Sequence, residues 1–426
     1  MKEYSRFVND LKTLISYKST EGAAVPGAPF GEEVKNALGY FLSLAKDFGF
    51  ETVNYDNYAG EIVFGEKGLP EIGVIGHLDV VPAGGNWDSD PFTLTFKDGV
   101  YYGRGVQDDK GPMLQCLYAM KELKDSGVNP AVRFRLFVGC NEETGWQDVK
   151  YLAEHTEIPE YGFSPDGDFP VSYAEKGVEV FEFEFPALKN FYDLKGGTAV
   201  NAVCAYASVK ARPEGINEEL LKKHGLKING DFIESFGVAA HGSAPHLGKN
   251  AFLPLFSYMA ETGEPLTGVI DCLFRDKYGI GNLVNEQGKV TFSPDLIKER
   301  DGKTYIVCDC RVPAPFALSD VEKIVDKFGI KYEVSEKHPP LLVEKNGKFV
   351  ETLLNAYKKV TGENAEPQSM GGSTFARVFK KGCAFGCEFE GVDAHIHDAN
   401  ERISEELLLK SYEIYKTAFF DLAKGV

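Results

Sequence analysis

An apolar run that ends in metal-ligand side chains constrains this chain more than any other feature. Ile72-Gly-Val-Ile75 reads as a buried strand, and the GHLDVVPAGG that continues it presents His77 and Asp79. Two positions apart on an extended backbone, those side chains share a face. Asp108 follows inside QDDKGP, where Pro112 suits the first turn of a helix. Unpaired charges at the ends of apolar strands are costly to desolvate. An imidazole at a strand end and a carboxylate at a helix start avoid that cost when they meet on a metal ion.

The same arrangement recurs along the chain. The apolar run at 132–138 leads into GCNEETGW, with Glu142 and Glu143 just past its end. Tyr161-Gly-Phe163 leads into SPDGDFP, where Asp166 sits, and HIHDANERI carries His395 and His397. Acids after strands, with helices between the strands, describe an α/β sheet, which binds ligands beyond the carboxyl ends of its strands. Mixed imidazole and carboxylate donors suit zinc, manganese or cobalt rather than calcium. They are too many for one four-coordinate ion, whereas two ions sharing a carboxylate, ~3.5–4 Å apart with a hydroxide between them, would use them economically. Glu142 and Glu143 leave the backbone in different directions, so one is expected to coordinate and the other to take a proton from water. The residues alone do not say which.

A chain of 426 residues is too long for one ordinary core, so two domains are expected. The net charge of −18 argues against a nucleic-acid partner and against an anionic membrane surface. No run reaches the roughly 18 apolar residues of a membrane span, and the charged start MKEYSRFVNDLKTLISYKS is no signal peptide. The expectation is a soluble, cytoplasmic protein. The eight cysteines fit no zinc-knuckle or disulfide spacing and read as free thiols. Helices are expected at 3–18, 32–48, from Pro112 to Gly127, at 147–154, 348–360 and 404–423. At Gly177 the texture changes: VEVFEFEFP alternates strictly, as a sheet with one wet face does. From 178 to 337 we read an inserted α+β domain with strands at 178–185, 232–240, 289–293 and 304–312. Its expected helices are 202–211, 251–262 and 320–328, and His338-Pro-Pro-Leu-Leu reads as the return linker. Residues 1–177 and 338–426 then form one discontinuous domain.

The motifs GHLDVVPAGGNWDSDPF, YYGRGVQDDKGP, GCNEETGW, FSPDGDFP and HDANERI resemble, in order and spacing, the metal-site motifs of the M20 metallopeptidases, most nearly the dipeptidase V type. The resemblance spans both ends of the chain and the insert. It implies a zinc-peptidase-like catalytic domain, with a mixed central sheet flanked by helices, and an inserted α+β lid domain. It implies two zinc ions, with manganese or cobalt as alternatives. His77 and Asp166 would bind one ion, Glu143 and His397 the other, and Asp108 both. Glu142 would be the general base and Asp79 the partner that orients His77. His395 has no counterpart. Val106-Gln107 stands where serines are frequent in the family, and Gly167 where alanine is; neither position is a ligand.

In the insert, the resemblance assigns His241 of GVAAHGSAPHLGKNA to oxyanion stabilisation from the lid. It assigns Asn201 and Arg311 to substrate binding, an arginine being able to grip a carboxylate with two bonds. Gly371, Gly372 and Ser373 match a loop lining the same pocket, where glycines let backbone N–H groups approach an anion. The implied activity is hydrolysis of dipeptides by a monomer whose lid belongs to the same chain, with no nucleic-acid or membrane partner. An N-acyl amino acid deacylase of the same family is the alternative. A scaffold protein that keeps the fold without chemistry would have lost ligand positions, and all are present here.

Overall fold

The computed structural model describes residues 1–425, which divide into two compact units. The first holds residues 1–173, 342–368 and the chain from Thr374 onward; the second holds 174–341 and 369–373. The crossings lie four residues outside 178 and 337 on each side. Only Lys176 separates the strand Ser172–Glu175 from Gly177–Glu184, so no shift in composition marks the first crossing. At the second, His338 is the last residue of the strand Tyr332–His338, which pairs with Gly177–Glu184 inside the second unit. The expected linker therefore begins as a strand.

The first unit is built on a mixed sheet. Glu51–Tyr55 and Ala59–Phe64 form a hairpin, and the latter runs antiparallel to Arg133–Gly139. Arg133–Gly139, Glu71–His77, Tyr161–Ser164 and Lys381–Ala384 are then parallel neighbours in that order. Register aligns the strand ends. His77 faces Gly139, and Val74 faces Phe163, so Asp166, three residues beyond Phe163, comes level with His77. These central strands are buried almost throughout, as parallel strands covered on both faces must be.

Helices cover the sheet. Glu405–Leu422 starts at Ser404, whose hydroxyl accepts the Leu407 N–H, and Glu405 and Glu406 complement the first turn. It buries Leu408, Tyr412, Tyr415, Phe419 and Leu422 at helical spacing, and Phe419 stacks against Phe134 and Phe163 of the sheet. Lys110–Asp125 is buried over nearly all its first three turns. The Phe379 ring lies where Gly73 and Gly162 of adjacent strands leave no side chain. A Cβ would come within 2.1 Å of that ring at Gly73 and 2.4 Å at Gly162. All eight cysteines are free and buried.

The second unit contains two four-stranded antiparallel sheets, 291–300, 303–312, 177–184 and 332–338 in one, 191–196, 206–211, 232–236 and 227–229 in the other. Its core gathers Phe181, Phe183, Leu255, Phe256, Ile306 and Val321, with helices Phe252–Glu261 and Leu318–Val325 supplying one side. The helix expected at 202–211 is the strand Tyr206–Ala211. Alanines favour helix there, but Ala207 and Val209 alternate into the core and the strand pairs on both edges. A period of two was misread as helical. The mixed α/β class with an α+β insert is what the molecule has.

Gly162→Ala is expected to drive a methyl into the Phe379 ring and to cost about 1–3 kcal/mol. Urea unfolding should show a lower midpoint with an unchanged slope.

Candidate metal centre

The expected ligands meet at the carboxyl end of the first unit's sheet. His77 is the last residue of its strand and is buried. Its Nδ1 lies 3.0 Å from the Asp79 carbonyl oxygen, and its Nε2 lies 3.1 Å from Asp108 Oδ1 and 3.8 Å from Asp166 Oδ2. On the other side of the same carboxylate, Asp108 Oδ2 is 2.9 Å from His397 Nε2, which is also 3.1 Å from Glu143 Oε2. Asp108 thus stands between two imidazoles, each with a further acid beside it. Ligand atoms of His77, Asp108 and Glu143 lie within 4.8 Å of one another, as do those of His77, Glu142 and Asp166. His395 turns elsewhere, with Nδ1 on the Ala399 carbonyl and Nε2 on Asp393.

Asp79 stands beside His77 and also holds the loop that carries the two glutamates. The His77 ring donates from Nδ1 to the carbonyl of Asp79, which directs Nε2 toward Asp108 and Asp166. The Asp79 carboxylate instead accepts the backbone N–H groups of Glu142 (3.1 Å) and Glu143 (3.0 Å). It therefore fixes the loop that carries both glutamates, besides lying 3.4 Å from His77 Nδ1.

Five acids and two imidazoles share this small volume, and the charges disturb one another. Burial and then the Asp108 charge push the Asp166 carboxyl up to about 8. Burial raises Glu142 well above the carboxylate range, opposed by His77 but reinforced by Asp166, Glu143 and Asp79. Burial and Asp108 also raise Glu143. Asp108 is the exception: burial works against its charge, but hydrogen bonds from His397 and His77 hold it below the usual range. Hydrogen bonds to Asp108 and Glu143 push His397 up to about 11. His77 is raised too, its hydrogen bonds to Asp108 and Asp79 outweighing burial. Without a cation, such a cluster must hold protons to offset its own negative charge. Two divalent ions supply that compensation, and the N/O donor set fits zinc, manganese or cobalt.

Further buried acids stand beside the site, among them Asp109, whose carboxylate accepts the His77 backbone N–H at 3.2 Å. Asp148 accepts the N–H groups of Cys140 (2.6 Å) and Asn141 (2.8 Å), at the strand end that leads to Glu142. Nothing in QDVK distinguishes it from an ordinary acid in the first turn of a helix. Glu401 is wholly buried beside the loop that carries Asp108. It sits in the HDANERI motif and was legible there, but a glutamate before a strand gives no sign of what it accepts.

The remaining candidates gather in the second unit. The Asn201 carbonyl accepts the Gly242 N–H at 2.6 Å, which fixes the His241 turn, and His241 Nδ1 is 2.7 Å from the Ser243 hydroxyl. A Cβ at Gly242 would meet Asp309, and one at Gly371 would come within 3.1 Å of the Ser243 hydroxyl. Asp309 in turn accepts the Arg311 Nε–H with both oxygens at 2.9 Å. Asn201, His241, Arg311 and Gly371 are therefore near neighbours, with Gly372 and Ser373 following in the same segment.

Comparison with known proteins places the chain among peptidases. Residues 73–421 match peptidase family M20/M25/M40. The Beta-Ala-Xaa dipeptidase of Lactobacillus delbrueckii subsp. lactis is 33% identical over 453 residues, covering 98% of this chain and 96% of that protein. The fold resembles human carnosine dipeptidase 1, with a TM-score of 0.62 at 16% identity over 98% of this chain and 97% of that one. It also resembles a dinuclear metal binding M20 peptidase of Bacillus subtilis, with a TM-score of 0.53 at 11% identity over 98% and 97% of the two chains.

Metal uptake must displace protons from His397, from His77 and from the raised carboxyls. The apparent affinity for Co2+ is expected to climb from about pH 6 to about pH 8, with protons released on binding. Calorimetry in buffers of different ionisation enthalpy tests this; an affinity that does not change with pH would contradict it.

Proposed function

Because the chain belongs to peptidase family M20/M25/M40, we propose that it is a metal-dependent dipeptidase of the dipeptidase V type. The observation that carries this reading is the Asp108 carboxylate set between His77 and His397, with Asp166 and Glu143 beside them. His77, Asp108 and Asp166 would hold one zinc ion, and Asp108, Glu143 and His397 the other. Ions held by these residues would supply Lewis-acid polarisation of the scissile carbonyl and would lower the pKa of water toward neutral pH.

Glu142 takes the proton from the attacking water and passes it to the leaving amine. Its environment suits that task, since burial and neighbouring acids raise its proton affinity. Asp79 keeps Glu142 and Glu143 apart in role by holding both of their backbone N–H groups. In the second unit, Arg311 binds the substrate carboxylate, its Nε held by Asp309 so that the far end of the guanidinium is already oriented. Asn201, Gly371, Gly372 and Ser373 line the same part of the substrate, and His241 donates to the oxyanion. This limits substrates to short peptides with a free carboxyl end.

The protein works as a monomer in the cytoplasm. Eight buried cysteines, none of them in a disulfide, suit a reducing compartment, and no helix among the described residues is long and apolar enough to cross a membrane.

Glu142→Ala is expected to lower kcat by about 10²–10⁴-fold while the metal content by elemental analysis stays unchanged. A fully active variant removes Glu142 from the mechanism. A panel of α-dipeptides, β-alanyl dipeptides, tripeptides and N-acyl amino acids should show turnover of dipeptides first. Preference for the acylated amino acids would replace the peptidase reading with a deacylase.

A further inference from the structure

The loop that carries Asp108 is held by one buried side chain from the far end of the sequence. Glu401 is fully buried, and its carboxylate accepts backbone N–H groups from three positions of that loop. Gly105 donates to both oxygens, at 2.9 and 3.1 Å, Gln107 at 2.9 Å, and Asp108 itself at 3.1 Å. Arg104, equally buried, closes the set with Nη1 2.8 Å from Oε2. No other part of the loop supplies acceptors for those N–H groups, and buried donors must be satisfied. Gly105 takes φ +85, which turns its N–H and those of the next residues toward one point. A Cβ there would meet the Lys110 side chain at 2.9 Å.

The same short segment carries a metal-site residue and further ties. His397 lies four residues before Glu401 and approaches Asp108 Oδ2. Asn400 accepts the Asp88 N–H at 2.9 Å, and Arg402–Ser404 pairs as a strand with Val100–Tyr102. Arg104 also stacks over Trp87, 5.3 Å from the ring centroid. One segment thus delivers the His397 imidazole to one oxygen of Asp108 and grips the backbone of Asp108 from behind.

We propose that Glu401 is a positioning residue that holds the Asp108 carboxylate in the orientation that bridges two metal ions. This rests on the metallopeptidase reading above. Glu401 touches neither substrate nor ligand side chains; it acts through the Asp108 backbone. A carboxylate is required because it offers acceptor sites for all these donors and carries the charge that Arg104 needs. An amide of the same size presents N–H groups to Arg104 or Gly105, donor against donor, so the loop must shift.

The test uses the full chain, Glu401→Gln, and Co2+ as the probe. Wild type should take up two equivalents, followed by visible absorption of the bound ion. The variant should keep its circular dichroism, lose about 10–100-fold in Co2+ affinity and change the Co2+ spectrum. Its kcat for a dipeptide should fall with KM within threefold, whereas a merely structural role would leave metal affinity and spectrum alone. Ser411→Ala, which removes a buried hydroxyl bonded to Gln115 elsewhere in the first unit, is the control for general destabilisation. If Glu401→Gln does not fold, Arg104→Lys is read by the same measurements, since it keeps a cation but lacks the planar fork. A wild-type spectrum and affinity in the folded variant, or an equal loss in Ser411→Ala, overturns the assignment. A wild-type chain that takes up no second equivalent and turns over no dipeptide overturns the metallopeptidase reading instead.

Discussion

Five carboxylates cannot share a buried volume unless something positive shares it with them. That electrostatic demand governs the first unit. In the molecule, two imidazoles meet it in part, and Asp108, between them, is the one acid of the cluster whose charge is favoured. Asp166, Glu142 and Glu143 are all driven toward their protonated forms by burial and by one another. Divalent ions satisfy the same demand more completely, because each replaces several protons and binds the donors directly. The central parallel strands serve this end. Their registers bring His77, Asp166 and the glutamate loop level at the carboxyl end of the sheet.

Behind the cluster lies a second set of acids whose partners are backbone N–H groups. Asp79 holds the Glu142–Glu143 turn, Asp148 holds the strand end before it, and Glu401 holds the Asp108 loop. Each takes donors that a loop cannot satisfy internally, and so converts a flexible connection into a fixed one. This explains why so much negative charge sits in one place. About half of it orients the other half.

His77, Glu143 and Asp166 were legible because each closely follows an apolar run, where desolvation gives such charges few explanations; Asp108 and His397 were legible through the QDDKGP and HDANERI motifs. The strand–helix order of the first unit was legible for a similar reason: long apolar periods are hard to mistake. The second unit was harder. Residues 206–211 are alanine-rich and short, and their strand identity comes from pairing on both edges rather than from propensity. The strands at 191–196 and 332–338 went unread for the same cause. The crossing between units at 173–174 falls where two strands are nearly continuous, so no turn residues announce it.

The sequence by itself determined the donor set and its order along the chain, since residue type and position after an apolar strand are local properties. Only the tertiary structure decided which atom serves which neighbour: that the Asp79 carboxylate accepts from the Glu142 and Glu143 backbone, and that Glu401 accepts from a loop 293 residues away. Hydrogen bonds of that kind depend on strand register and backbone direction. Neither is written in the spacing of residues along a line.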